Sequence, residues 1–276
     1  MFDSIFSPFE YAFMQKAFLI SIGIAIPMSI ISCYLILKGW ALMGDAISHA
    51  ILPGIVISYI LGIALSIGAF FAGLLCALTS GYIKNNSKLK HDSILGIVFS
   101  GMFALGLILY LKIETDIHLD HILFGNILGL SWNDVINSIA LSIICSLFIY
   151  LKRFDLMLNI FDSQHATAIG FNVKKLNYIF LGILSLIVVA SLKSTGIILG
   201  IALLIIPGSI SYLISQNFFQ MIKFSLFISI CSSLIGVYIS FFIDSAPAPT
   251  IVLILTLIFT ICFLKKVKSK KVKSSF

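Results

Sequence analysis

Apolar runs of about 20 residues recur along the whole of this 276-residue chain, and that recurrence limits what it can fold into more than any motif does. A run of that length, wound as a helix, matches the hydrocarbon thickness of a bilayer. The runs are continuous rather than alternating, which selects helices over a barrel. Composition agrees: hydrophobic residues make up 60% of the chain, charged residues 11%, and the mean hydropathy is +1.13. A soluble domain is closer to one quarter charged. The expected fold is therefore all-α, a polytopic integral membrane helical bundle of roughly eight (seven to nine) transmembrane helices in a single domain, 1–276.

The runs place spans at about 14–37, 44–60, 63–83, 93–111, 135–151, 176–192, 196–214, 221–243 and 248–264. Ahead of the first, Phe2, Phe6, Phe9 and Phe13 fall at helical spacing with Asp3, Ser4, Ser7 and Glu10 between them, so 1–13 reads as a short interfacial helix. The segment 122–130 is apolar but too short to cross and reads as re-entrant or interfacial. The acidic start, with no basic residue before Lys16, does not match a cleaved signal peptide.

The net charge of +7 is unevenly placed. Assigning 84–92, 152–175, 216–223 and the basic tail 265–276 to one side collects most of the 18 basic residues there, while Lys112 and Lys193 fall on the other. Basic loops face the cytoplasm, so the C-terminus is expected there, and an odd number of spans puts the N-terminus outside. Six lysines in the tail read as an anchor beside anionic lipid, with no call for nucleic acid. The five cysteines lie inside apolar runs at no paired spacing and read as packing residues.

Against this background the stretch Gly44-Asp45-Ala46-Ile47-Ser48-His49-Ala50-Ile51-Leu52-Pro53-Gly54 stands out. Ionisable residues inside a membrane helix mark pathways or partners. Asp45 and His49, four residues apart, share one helix face and can offer a carboxylate oxygen and an imidazole nitrogen to one divalent metal. Two ligands are too few for a closed site, but a two-fold dimer would bring together two of each. Pro53 weakens the helix nearby, as a gate requires. The bland alternative is a hydrogen-bonded pair that pins two helices.

Other polar groups carry less. Glu114, Asp116, His118, Asp120 and His121 form an acidic outer loop that either collects cations or is simply solvated. His91 and His165 read as isolated, exposed loop histidines on the cytoplasmic side. The chain has no Gly-x-x-x-x-Gly-Lys-Ser/Thr phosphate loop, His-Glu-x-x-His or Gly-x-Ser-x-Gly, so ATP hydrolysis, if it powers this chain, belongs to a partner.

The run from Leu42 to Gly54 resembles the signature of the permeases of bacterial ABC importers for zinc, manganese and iron, the metal ABC-3 family. Further matches follow in that family's order: His91-Asp92-Ser93-Ile94-Leu95-Gly96-Ile97, Leu123-Phe124-Gly125-Asn126-Ile127-Leu128, the run from Gly196 to Pro207, and Ala248-Pro249-Thr250-Ile251-Val252-Leu253. The resemblance implies a multi-pass permease of the bacterial inner (plasma) membrane that dimerises with a second copy. It implies a cytoplasmic ATP-binding subunit and an extracytoplasmic metal-binding protein as partners. It also implies a transit site at Asp45 and His49, and an ATPase-coupling segment within 152–175, from Asp162 to Gly170. No permanently bound cofactor is expected, and the cargo expected first is zinc, with manganese or iron as alternatives. A proton-coupled secondary transporter using Asp45, His49 and the outer loop is the rival from another class, and an intramembrane metalloenzyme, lacking a third ligand and a placed base, ranks last.

Overall fold

A computed structural model describes residues 2–112 and 125–274. The acids and histidines of 114–121 lie outside the described residues, as does part of the 122–130 segment. Twelve helices appear among the described residues: α1 (Phe2–Glu10), α2 (Ala12–Lys38), α3 (Met43–Ala50), α4 (Leu52–Ile60), α5 (Leu65–Asn86), α6 (His91–Leu111), α7 (Trp132–Leu151), α8 (Arg153–Phe161), α9 (Ser163–Ala168), α10 (Val173–Ile214), α11 (Phe218–Ile243) and α12 (Pro247–Ser274). No strand occurs among these residues. The expected helical bundle is present.

Nine stretches among the described residues are long and apolar enough to cross a membrane, the upper end of the range read from the sequence. They are α2, the α3–α4 pair, α5, α6, α7, two limbs of α10, α11 and α12. The limbs of α10 meet at Gly196, whose φ of 68° and ψ of −177° are non-helical and belong to a glycine. Beyond it the chain folds back, since a Cβ at Gly200 would stand 3.3 Å from Ser191 Oγ, nine residues earlier. Residues 125–131 form turns rather than a helix. They sit over this reversal and the start of α2: Ile127 and Leu130 are buried, and Lys16 Nζ donates to the Leu130 carbonyl at 3.0 Å.

Burial separates hub from rim. In α2 and the α3–α4 pair, 67% and 72% of the span is enclosed by protein, against 17% in α6 and 22% in α7, which present most of their side chains outward. The hub helix α2 packs on α7, α10 and α11. Hydrocarbon offers no hydrophobic drive between helices, so close packing and interhelical hydrogen bonds hold them. Ser32 Oγ accepts from the Gly208 N–H of α10 at 3.0 Å, and Ser225 Oγ of α11 donates to the Ser29 carbonyl at 2.9 Å.

The 152–175 connection is not the plain polar loop that composition suggests, because it winds into α8 and α9. Asp162 caps α9 by accepting the His165 N–H at 2.8 Å. Gly170, at φ 92°, turns the chain toward α10, with its N–H bonded to Thr167 O at 3.1 Å. Asp162 and Gly170 thus frame one short helical knob.

The tightest approach lies between α4 and α5. A Cβ on Gly54 would fall on the Gly68 carbonyl oxygen, and one on Gly68 would fall on Ser58 Oγ and the Gly54 carbonyl. Both sites are backbone against backbone, with no flexible group to yield. Gly54→Val is therefore expected to push α4 off α5 and to cost at least the roughly 1–3 kcal/mol of an overpacked core. Thermal unfolding of the purified chain in detergent checks this, with Gly101→Ala, which meets open space, as the unperturbed control.

Candidate metal transit site

Helix α3 is enclosed on nearly every side. Met43, Gly44, Ala46, Ile47, Ser48 and Ala50 are buried, and only Asp45 and His49 keep part of their surface, their side chains being 30% and 31% exposed. One turn apart on the same face, they form the open stripe of an otherwise sealed helix. Asp45 Oδ1 stands 3.3 Å from His49 Nε2. The His49 ring lies against Phe99, with centroids 5.8 Å apart, and edge-on to Phe103 at 5.7 Å. The two rings of α6 leave the imidazole little room to swing away from Asp45.

The pair sits at mid-depth. Phe99 and Phe103 lie in the middle of α6, the Cys76 thiol that approaches the Ala46 carbonyl at 3.8 Å lies in the interior of α5, and Leu204, against Gly44, lies midway along the second limb of α10. Ile51 separates α3 from α4, and Pro53 lies in the first turn of α4. It has no N–H to give the His49 carbonyl, so the ladder is interrupted there although Ile51 keeps right-handed helical dihedrals. The free side of Pro53 packs on Gly106 of α6, where a Cβ would come within 2.8 Å of its ring.

The donor spacing has a chemical meaning. With metal–ligand bonds of about 2.1 Å, two ligands of one ion lie about 3.0 Å apart at a right angle and about 3.4 Å apart at the tetrahedral angle. A separation of 3.3 Å therefore suits either geometry without a rotamer change. Among the described residues no three His, Cys, Asp or Glu side chains gather into a metal cluster, so the described part of the chain offers two donors here. That suits an ion in passage better than one held in place.

Of the histidines among the described residues, His91 and His165 do not join the pair. His165 lies within α9, not in a loop. His91 was read as an isolated exposed residue, and the structure corrects this: it opens α6, its ring stacks on Trp40 at 5.3 Å, and both ring nitrogens are enclosed. The reason is tertiary. Trp40 follows α2 and stands under the Lys38 ammonium, 4.0 Å from its ring centroid, and Lys38 in turn donates to Asn177 of α10. Asn159 of α8 donates to the same Asn177 oxygen at 2.7 Å. Sequence reading missed this polar knot, whose one local signal is a lysine immediately before a Gly-Trp pair.

The fold defines a multi-span helical membrane protein, and the Asp45–His49 stripe is its candidate site, two potential donors half-open at mid-depth. The chain belongs to the ABC 3 transport family, whose model matches residues 10–266. It is 48% identical over 275 residues to the chelated iron transport system membrane protein YfeD of Yersinia pestis, covering 98% of this chain and 93% of that one. It is 44% identical over 257 residues to the manganese transport system membrane protein MntB of Synechocystis, covering 93% and 84%. Among solved structures it superposes on PsaBC from Streptococcus pneumoniae, in complex with Fab, with a TM-score of 0.85, 36% identity and 95% of each chain covered.

An exposed i, i+4 ion pair is worth about 0–1 kcal/mol. If Asp45 and His49 were a structural staple, their loss would matter to folding. Asp45→Asn and His49→Gln are instead expected to leave stability within about 1 kcal/mol of the parent. Thermal melting in detergent, followed by size-exclusion elution, measures it.

Proposed function

We propose that this chain is the membrane permease subunit of an ATP-driven importer of a divalent transition metal, acting in the bacterial plasma membrane with its C-terminus in the cytoplasm. The observation that carries the reading is the Asp45–His49 stripe, the one open face of a helix buried at the centre of the bundle. A second copy facing it would supply two more donors and close the shell. Manganese and iron are the cargoes the relatives' names support, through YfeD and MntB. Zinc, expected first from the sequence, has no such support from these relatives and stands third.

The partners follow from the same reading. An extracytoplasmic binding protein delivers the ion, and an ATP-binding subunit grips the α9 knob between Asp162 and Gly170. Asn159, just ahead of that knob, is bonded through Asn177 to Lys38, five residues before the Met43 that opens α3. Movement of the knob therefore has a short polar route toward the transit helix. The break at Pro53 lets α3 tilt against α4 as the path changes sides. The permease hydrolyses nothing itself.

Uptake of radiolabelled manganese, iron and zinc into vesicles tests this, using the chain alone and then with its ATPase and metal-loaded binding protein, with and without ATP. Uptake should require the full ATP-supplied system; uptake by the chain alone under a proton gradient would make it a secondary transporter. Asp45→Ala and His49→Ala should each lower transport by about a hundredfold or more, since even outer-shell changes cost 10–100-fold. Because a ligand must be an ionised carboxylate or a neutral imidazole, protons compete with the metal. Uptake should therefore fall as the pH is lowered, and uptake that stays flat through the acid range would count against these ligands.

A further inference from the structure

Beyond the metal path, the ends of four spans enclose a cavity of about 160 Å³ whose walls include Trp40, Lys84, His91, Lys174, Asn177 and Tyr178. It lies between the end of α2, the end of α5, the start of α6 and the start of α10. Its chemistry is one-sided. Among the described residues neither Lys84 nor Lys174 forms an ion pair, and Lys84 spends its ammonium on a single long contact to the Leu89 carbonyl at 3.4 Å. The His91 nitrogens are enclosed beside the cavity with no hydrogen-bond partner. Among the described residues no carboxylate lines the space, and Asp92, next to His91 in sequence, is exposed. Trp40 and Tyr178, with Met43 and Leu181 deeper in, supply an apolar floor.

We propose that this cavity binds a phosphate group. The two lysine ammoniums meet the charge, the Asn177 amide supplies a further donor, and the aromatic side chains accept what the phosphate carries. A basic pocket between helices at the lysine-rich face of a membrane protein suits the headgroup of an acidic phospholipid, with Trp and Tyr at the interfacial level. Free inorganic phosphate is the other source of the same chemistry. The site shares no residue with the Asp45–His49 pair, so either assignment can fail without the other.

Trp40 is the reporter. With Trp132→Phe it is the chain's only tryptophan, and Trp132 lies in α7, outside the cavity. The full-length chain in phosphatidylcholine nanodiscs receives rising fractions of phosphatidylglycerol in one arm and inorganic phosphate in the other. A saturable change in Trp40 emission is expected in at least one arm, and the responding arm names the source. Lys84→Gln with Lys174→Gln should abolish saturation, whereas Lys270→Gln with Lys271→Gln in the tail, an equal change of charge, should not. An unsaturable response in both arms, its persistence in the Lys84/Lys174 variant, or its equal loss in the tail variant would overturn the proposal. So would loss of ATPase association in the Lys84/Lys174 variant with Trp40 indifferent to both probes, which assigns the cavity to protein docking.

Discussion

A backbone inside hydrocarbon has no water to bond, and this constraint governs nearly every feature of the molecule. Helices satisfy it locally, so most of the described residues are helical, and each departure from a helix within the hydrocarbon has to be sheltered by protein. The reversal at Gly196 is covered by the turns around Gly125, and a Cβ there would strike the Gly196 nitrogen and the Ser194 carbonyl. The break between α3 and α4 lies in the most enclosed span, not in the outward-facing α6 or α7. A span with an interrupted hydrogen-bond ladder is thus the one with the most protein around it, and the same enclosure surrounds Asp45 and His49 at mid-depth.

The same constraint explains how neighbouring spans are joined. Lipid competes equally for apolar side chains, so affinity between spans has to come from close approach and from polar groups with no other partner. Glycine against glycine draws α4 onto α5, and serine-to-backbone bonds tie α2 to α10 and α11. Towards the lysine-rich ends the ties become polar and charged, with Asn159 and Lys38 both donating to the Asn177 side-chain oxygen.

Span positions were legible because they depend on local composition, and Asp45 and His49 were legible because four residues of helix bring them together without help from the rest of the chain. The basic tail and loops gave an orientation for the same reason. Features built from distant segments were not readable. Lys38, Trp40 and His91 meet Asn177 only after four helix ends are gathered, and nothing within a few residues of His91 distinguishes it from a solvated loop histidine. The knob at α9 was located but not shaped: a capping Asp and a terminal Gly are local signals, yet helix in so short a segment depends on packing.

The geometry of the pair also bears on selectivity. A donor spacing that serves both right-angled and tetrahedral shells cannot by itself separate manganese, iron and zinc, whose affinities for such ligands rise in a fixed order. A complete, rigid shell here would favour the tightest binder and hold it, whereas passage needs release. Two donors per chain, one of them an imidazole braced by Phe99 and Phe103, keep the ion's direction defined while leaving its shell unfinished. If the pair is the transit site proposed above, discrimination has to be made before the ion arrives, and the membrane site is free to be weak.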